Sequence, residues 1–414
     1  MNKNLRSSLV LVLIIMSTLA CGLPRQGGNE PDSNDATSPD QVATIVASTL
    51  QALTPAGAGI TDPPVPSSDL LPHSLYFLNN DDAGIAQVYR LEADGKSLSQ
   101  VTFEPTAVEF YDVSPVDGSV AYISNNQLLL IQADGSNRRV LVDAGPKDPN
   151  DPFVTGIRFP AFSPNGQTIA YGYKGLNFYA VATDVSNRVL EDQLDDLGNN
   201  LIVVREAYSP DQYSTDGTKL LLTLHYYEGG SAAIYYPAAN SLVRLTGDEG
   251  ALICCGEPEW TQDGSAFFVG NPTIGMFNPG LWRVDVSNGK VTTLLAGDAG
   301  NGTFNFADEP YLAPDGQLYF FFANQSATDE FVSRAPLQLV RSAADGITNR
   351  SVISPESFQL MNEALWAPDA SLVIVANAPI AEVYQGGPLE LYYTDGQKNM
   401  VSLLPFGGQL KWGP

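Results

Sequence analysis

From residue 72 onward the apolar residues come in short runs broken by Gly, Pro, Asn and Asp. Residues 159–190 show the pattern most clearly: FPAFSPNGQTIAYGYKGLNFYAVATDVSNRVL. A short aromatic strand leads into a Ser-Pro-Asn-Gly turn. An apolar strand over 168–171 follows, then one over 178–182, a polar turn and a last strand. Runs this short, rich in aromatic and β-branched residues and bounded by turn formers, predict strands and not helices. Four strands joined by three turns make one blade of a β-propeller.

The same line recurs. FYDVSPVDG spans 110–118, EPEWTQDG 257–264, EPYLAPDG 309–316 and EALWAPDA 363–370. REAYSP at 205–210 is taken as a further copy, with its Asp-Gly displaced to 216–217. Anchored on positions 115, 164, 210, 262, 314 and 368, successive units lie 49, 46, 52, 52 and 54 residues apart. A propeller blade takes about 40–50 residues, so each repeat is one blade with modest insertions. A second signal, Asp-Gly at 94–95, 134–135, 345–346 and 395–396, follows a strand in each case and predicts a tight hairpin.

The two ends of the chain share one unit. The segment from 74 lacks an aromatic first strand, and the terminal QLKWGP supplies it, with Trp412 where Trp366 and Trp260 sit. Six whole units and one split unit predict an all-β, seven-bladed propeller over 72–414, closed by the C-terminal strand. Closure removes the open sheet edges that would otherwise invite association.

Ser-Pro-Asp-Gly, an Ile-Ala-Tyr-like strand and a strand ending in Asp-Gly resemble the TolB-like (WD-like) propeller repeats. The resemblance covers 72–414. It implies a propeller, and it implies little about function, because such repeats serve envelope assembly proteins, peptidases and other lipoproteins alike. TolB itself carries an additional N-terminal α/β domain, and residues 22–70 are too short and too polar to form one.

The N-terminus has a separate logic. MNKNLRSSLVLVLIIMSTLAC opens with Lys3 and Arg6, continues with an apolar run over 9–16 and ends in small residues before Cys21. That is the layout of a secretory signal (1–20), with an apolar run too short for an ordinary spanning helix. Thr18-Leu19-Ala20-Cys21 resembles the bacterial lipobox. The resemblance implies lipidation of Cys21 and anchoring outside the cytoplasm, at the cell membrane or an outer membrane. Residues 21–71 then form a lipidated tether of largely polar, aperiodic composition, expected to be disordered. A short helix is expected at 39–53, where Val42, Ile45, Val46, Thr49, Leu50 and Leu53 share a face.

Charge narrows the partners. With 21 basic and 46 acidic residues the chain carries a formal charge of −25. A polyanion repels nucleic acid and anionic headgroups, which leaves a protein or glycan partner and a monomeric state as the expectations. No Gly-x-Ser-x-Gly elbow occurs, which argues against a serine hydrolase, and no phosphate-cradling loop is present. The two histidines, His73 and His225, have no metal-ligand spacing and are read as structural.

Two features bear on a site. Cys254 and Cys255 are adjacent, and a vicinal disulfide there would be strained, since neighbouring Cα atoms lie about 3.8 Å apart, below the usual disulfide range. The residue five before each anchor defines a ring at one mouth of the channel: Gln409, Phe110, Phe159, Arg205, Glu257, Glu309 and Glu363. Glu257, Glu309 and Glu363, with Arg205 and Asp308 beside them, form the candidate ligand or cation site. No cofactor is expected beyond such a cation. Tyr111, Trp260, Trp366 and Trp412 are assigned to packing between blades. The preferred function is a membrane-anchored, non-catalytic binding or scaffold module of the cell envelope. The alternative is an envelope enzyme that uses the mouth carboxylates, with or without a cation, on a glycan or small molecule.

Overall fold

The computed structural model describes residues 69–414 apart from 150, 199–201, 228, 248–257, 276–277, 327–333 and 397–398. The signal segment, Cys21, the tether with its expected helix, Glu257 and the Cys254–Cys255 pair lie outside the described residues. The body is almost wholly antiparallel sheet. Among the described residues its one helix is α1 (Pro152–Thr155), and no helix is long and apolar enough to cross a membrane.

Strand pairing resolves into successive four-stranded units. Blade 1 runs from Val108–Val113 out to Arg139–Asp143, and blade 2 from Arg158–Phe162 out to Val185–Glu191. Blade 3 starts in Ile202–Tyr213 and ends at Ser241–Arg244. Blade 4 runs from Glu259–Trp260 to Lys290–Leu295. Blade 5 runs from Phe304–Leu312 to Ser351–Val352, and blade 6 from Met361–Trp366 to Val401–Trp412. A seventh unit pairs the end of that last strand with Leu75–Asn80, Ala86–Leu91 and Leu98–Gln100.

Closure follows the split-unit expectation. Leu75 pairs with Trp412 and Tyr76 with Lys411. The strand Val401–Trp412 serves two sheets, its first half lying on Gly387–Tyr393 and its second on Leu75–Asn80. Gly407 sits at the crossing, where an added Cβ would lie 2.7 Å from the Leu389 Cδ1 atom. A larger residue there would have to displace the Leu389 side chain.

Each blade is packed on both faces, so its second strand is largely apolar; Val120–Ser124 is buried at every position. The core is a ring of layers between neighbours. Ala121 and Ile123 of blade 1 meet Ile169 and Tyr171 of blade 2. Leu221 and Ile234 of blade 3 meet Phe267 and Val284 of blade 4. Burying each large apolar side chain contributes roughly 1.5–3 kcal/mol. The Asp-Gly turns form as expected. Gly135 and Gly346 have φ of 79° and 74°, and Asp345 accepts the backbone N–H of Ile347 and Thr348 at 2.9 and 2.8 Å. These bonds favour the ionised carboxyl and hold Asp345 below the usual carboxylate range, the Thr348 hydroxyl contributing most.

Blade 3 departs from the repeat alignment. Its first turn closes at Ser214, whose N–H bonds the Lys219 carbonyl, and not at Pro210. The inner strand is long because its start pairs with Gln193–Asp196 in an extra hairpin. Ser209-Pro210 copies the turn motif but lies within the strand, where Pro210 pairs with Leu222.

Candidate functional site

The inner strands share a distortion that shapes the channel mouth. A register shift falls in the inner-strand pairing of blade 1 between Val108 and Phe110, of blade 2 between Arg158 and Ala161, of blade 5 between Asp308 and Tyr311, and of blade 6 between Met361 and Glu363. Phe159, Glu309 and Gln409 take left-handed backbone there, at φ of 35°, 46° and 52°. Such conformations cost of order 1–3 kcal/mol each and persist only where the surroundings enforce them.

The corrected turn in blade 3 changes the ring. Its member from that blade is Pro210, not Arg205. Arg205 lies further up the extra hairpin, 3.2 Å from Asp195, with both side chains largely exposed. Sequence spacing misplaced it because the Ser-Pro pair imitates the turn.

Of the three mouth glutamates, Glu309 and Glu363 fall within the described residues. Glu363 accepts the backbone N–H of Gln409 at 2.8 Å with one carboxylate oxygen and that of Leu410 with the other. Glu309 is buried, at 6% exposure, and its carbonyl accepts the indole N–H of Trp366 at 2.9 Å. The carboxylate of Asp308 accepts the Glu309 N–H at 3.1 Å. Among the described residues no group of three His, Cys, Asp or Glu side chains is placed to hold a metal ion. An acid the sequence reading passed over, Asp112, does for blade 2 what Glu363 does for the closing strand: it accepts the Phe162 N–H at 2.6 Å. Its other oxygen lies 3.3 Å from the Lys411 ammonium.

The aromatic residues expected between blades are buried or half-buried there, and Tyr111, Trp366 and Trp412 carry polar links. Tyr111 donates to the Gln409 carbonyl at 2.5 Å, and Trp412 donates to the Trp366 carbonyl at 2.6 Å. Tyr311 stacks on Trp366 at 5.9 Å between ring centroids. Burial, then the charge of Glu363, pushes the Tyr111 hydroxyl well above its ordinary value, so it stays a donor.

His225 is packed beside Ser209 and Phe153. Its Nε2 lies 2.9 Å from the Ser209 hydroxyl and its ring meets Phe153 edge-on at 4.6 Å. Burial, then the nearby Arg158 charge, lowers it to about 4. Arg158 and Asp192 form a buried pair at 2.8 Å, 5% and 3% exposed, joining blade 2 to the loop that enters blade 3.

What remains open is a cavity of about 580 Å³ at the mouth. Phe110, Phe159, Pro210, Glu363 and Gln409 bring ring positions from blades 1, 2, 3, 6 and the closing strand to its wall. Tyr384 and Phe406 form part of its rim. A cavity of this size with mixed apolar and amide lining fits a small ligand or a segment of a larger one.

No family model matches the sequence, and no curated protein matches it. Solved structures do. An oligogalacturonate lyase in complex with manganese matches with a TM-score of 0.50 at 10% identity, over 81% of this chain and 86% of its own. A prolyl endopeptidase matches with a TM-score of 0.50 at 13% identity, over 82% of this chain and 48% of its own. TolB from Acinetobacter baumannii matches with a TM-score of 0.41 at 16% identity, over 91% of this chain and 73% of its own. At these identities the likeness is one of fold. The chain is a β-propeller.

Proposed function

We propose that this chain is an extracytoplasmic propeller, held at a bacterial membrane by lipid on Cys21, that acts as a non-catalytic binding module of the cell envelope. The cavity at the channel mouth is its ligand site. The observation that carries the reading is the use made of the Glu363 carboxylate. Glu363 is committed to two backbone amides, and Glu309 is buried within the ring. An acid–base pair needs carboxyls facing one pocket with room for substrate, and the Glu363 carboxylate is spent on holding the closing strand. The N-terminal signal supports an address outside the cytoplasm.

The test uses the full chain in its own envelope, with a photo-crosslinking phenylalanine at Gln385 on the cavity rim or at Lys96 on a hairpin turn. A discrete adduct from position 385 alone supports a mouth ligand, and its mass distinguishes polypeptide from glycan. Equal or absent adducts at both positions overturn the reading. Cys21→Ser should release the protein from the membrane fraction; retention there would remove the lipid anchor from the proposal.

A further inference from the structure

Resting on the reading of the mouth as a ligand site, the lining narrows what that ligand is. Three charged side chains reach the cavity: Asp211, Glu363 and Lys411. All three are engaged within the protein. Glu363 caps the closing strand, Lys411 faces Asp112 at 3.3 Å, and Asp211 also has an internal partner. A charged ligand would have to give up its hydration with none of these three left to pair with it, which is costly in a partly enclosed site.

The uncommitted groups are amides and aromatic faces. The side-chain amides of Asn80 and Gln385 line the cavity and make no internal hydrogen bond among the described residues. Each offers an acceptor and two donors, which matches adjacent hydroxyl groups. Tyr384 is 64% exposed, although large aromatics are normally covered. It is held in place from one side by Arg334, whose guanidinium lies 4.8 Å from the ring centroid and whose Nη1 donates to the Met361 carbonyl at 3.1 Å. Phe406 is 36% exposed and set against Gly386, where an added Cβ would lie 2.9 Å from its ring. A fixed ring with an open face attracts polarised C–H groups through its negative π surface. Left-handed Phe159 and Gln409 hold the floor in a strained backbone, as ligand sites often do.

Open aromatic faces, free amides and lining charges that are all engaged within the protein together describe a surface for a pyranose ring. We infer that the mouth binds a neutral oligosaccharide, stacked on Tyr384 and Phe406 and hydrogen-bonded by Asn80 and Gln385.

The test is calorimetric titration of the full, detergent-solubilised chain with cellohexaose, xylohexaose, maltohexaose and chitohexaose, and with hexagalacturonate as the charged comparator. One neutral hexasaccharide should bind. Tyr384→Ala and Phe406→Ala should each weaken it about tenfold. Both rings are exposed, so an unchanged thermal midpoint shows that the variants are folded. Hexagalacturonate should bind at least tenfold more weakly. The inference is overturned if no neutral probe binds, if the variants bind as well as the parent, or if hexagalacturonate binds equally well. A polypeptide adduct at position 385 in the crosslinking experiment would then keep the binding-module reading and remove the glycan, whereas absence of any adduct would remove both.

Discussion

The carboxylate of Glu363 reaches from blade 6 to the closing strand and accepts the backbone N–H of Gln409 at 2.8 Å. Its second oxygen takes the next amide, that of Leu410. Asp112 makes the same kind of reach from blade 1 to Phe162. A propeller leaves the inner edge of each blade facing the channel, where backbone donors have no ladder partner. Acidic side chains from the preceding blade satisfy some of them. In the closing strand this happens where the two ends of the chain meet.

Glu363→Ala leaves two part-buried amides without acceptors and should cost about 1–3 kcal/mol, because desolvated donors lose the bonds they would regain in water. Glu363→Gln keeps one acceptor oxygen and should lose less. Urea unfolding midpoints check this, and equal midpoints for parent and Glu363→Ala would show that the clasp contributes nothing.

Removing residues 408–414 should open the ring. It strips the partner from Leu75–Asn80 and uncovers an apolar edge strand that pairs readily with other chains. Size-exclusion chromatography should show association, and thermal unfolding should lose cooperativity. The peptide GQLKWGP added in trans should reverse both effects. A truncated chain that stays monomeric and melts like the parent would contradict closure by this strand.

Acid should weaken the fold through His225. Its ordinary value is 6.5 and its folded value about 4, lowered by burial and then by Arg158. Between those values the unfolded chain binds more protons than the folded one, so stability falls as pH drops from about 6.5 towards 4. Above 6.5 this contribution is flat. His225→Gln should lessen the dependence in that window, measured as unfolding free energy against pH. An identical profile in the variant would assign the acid sensitivity to other groups.

Local pattern sufficed for much of the architecture. Strand alternation, Asp-Gly turns and the match of QLKWGP to the split first unit are short-range signals that mean the same thing in any propeller, and closure through Trp412 and Leu75 followed from them. Blade 3 was misaligned because Ser209-Pro210 and Ser214-Gly217 are both plausible turns in sequence. Only pairing with the neighbouring strand selects the second. The buried aromatic positions were also legible, since periodicity identifies the covered face of a strand.

The roles of the acids were not. A glutamate five residues before a turn looks the same whether it faces water, a cation or a backbone amide. Composition and spacing determined that this chain builds a repeated, closed sheet body with polar ring positions. Tertiary structure decided that Glu363 is a clasp, that Glu309 is buried, that Arg205 stands apart, and that Tyr384 and Phe406 share a rim with Asn80. The reason is that these relationships join residues up to about three hundred positions apart, such as Tyr111 and Gln409. Contacts of that span exist only once the ring has closed.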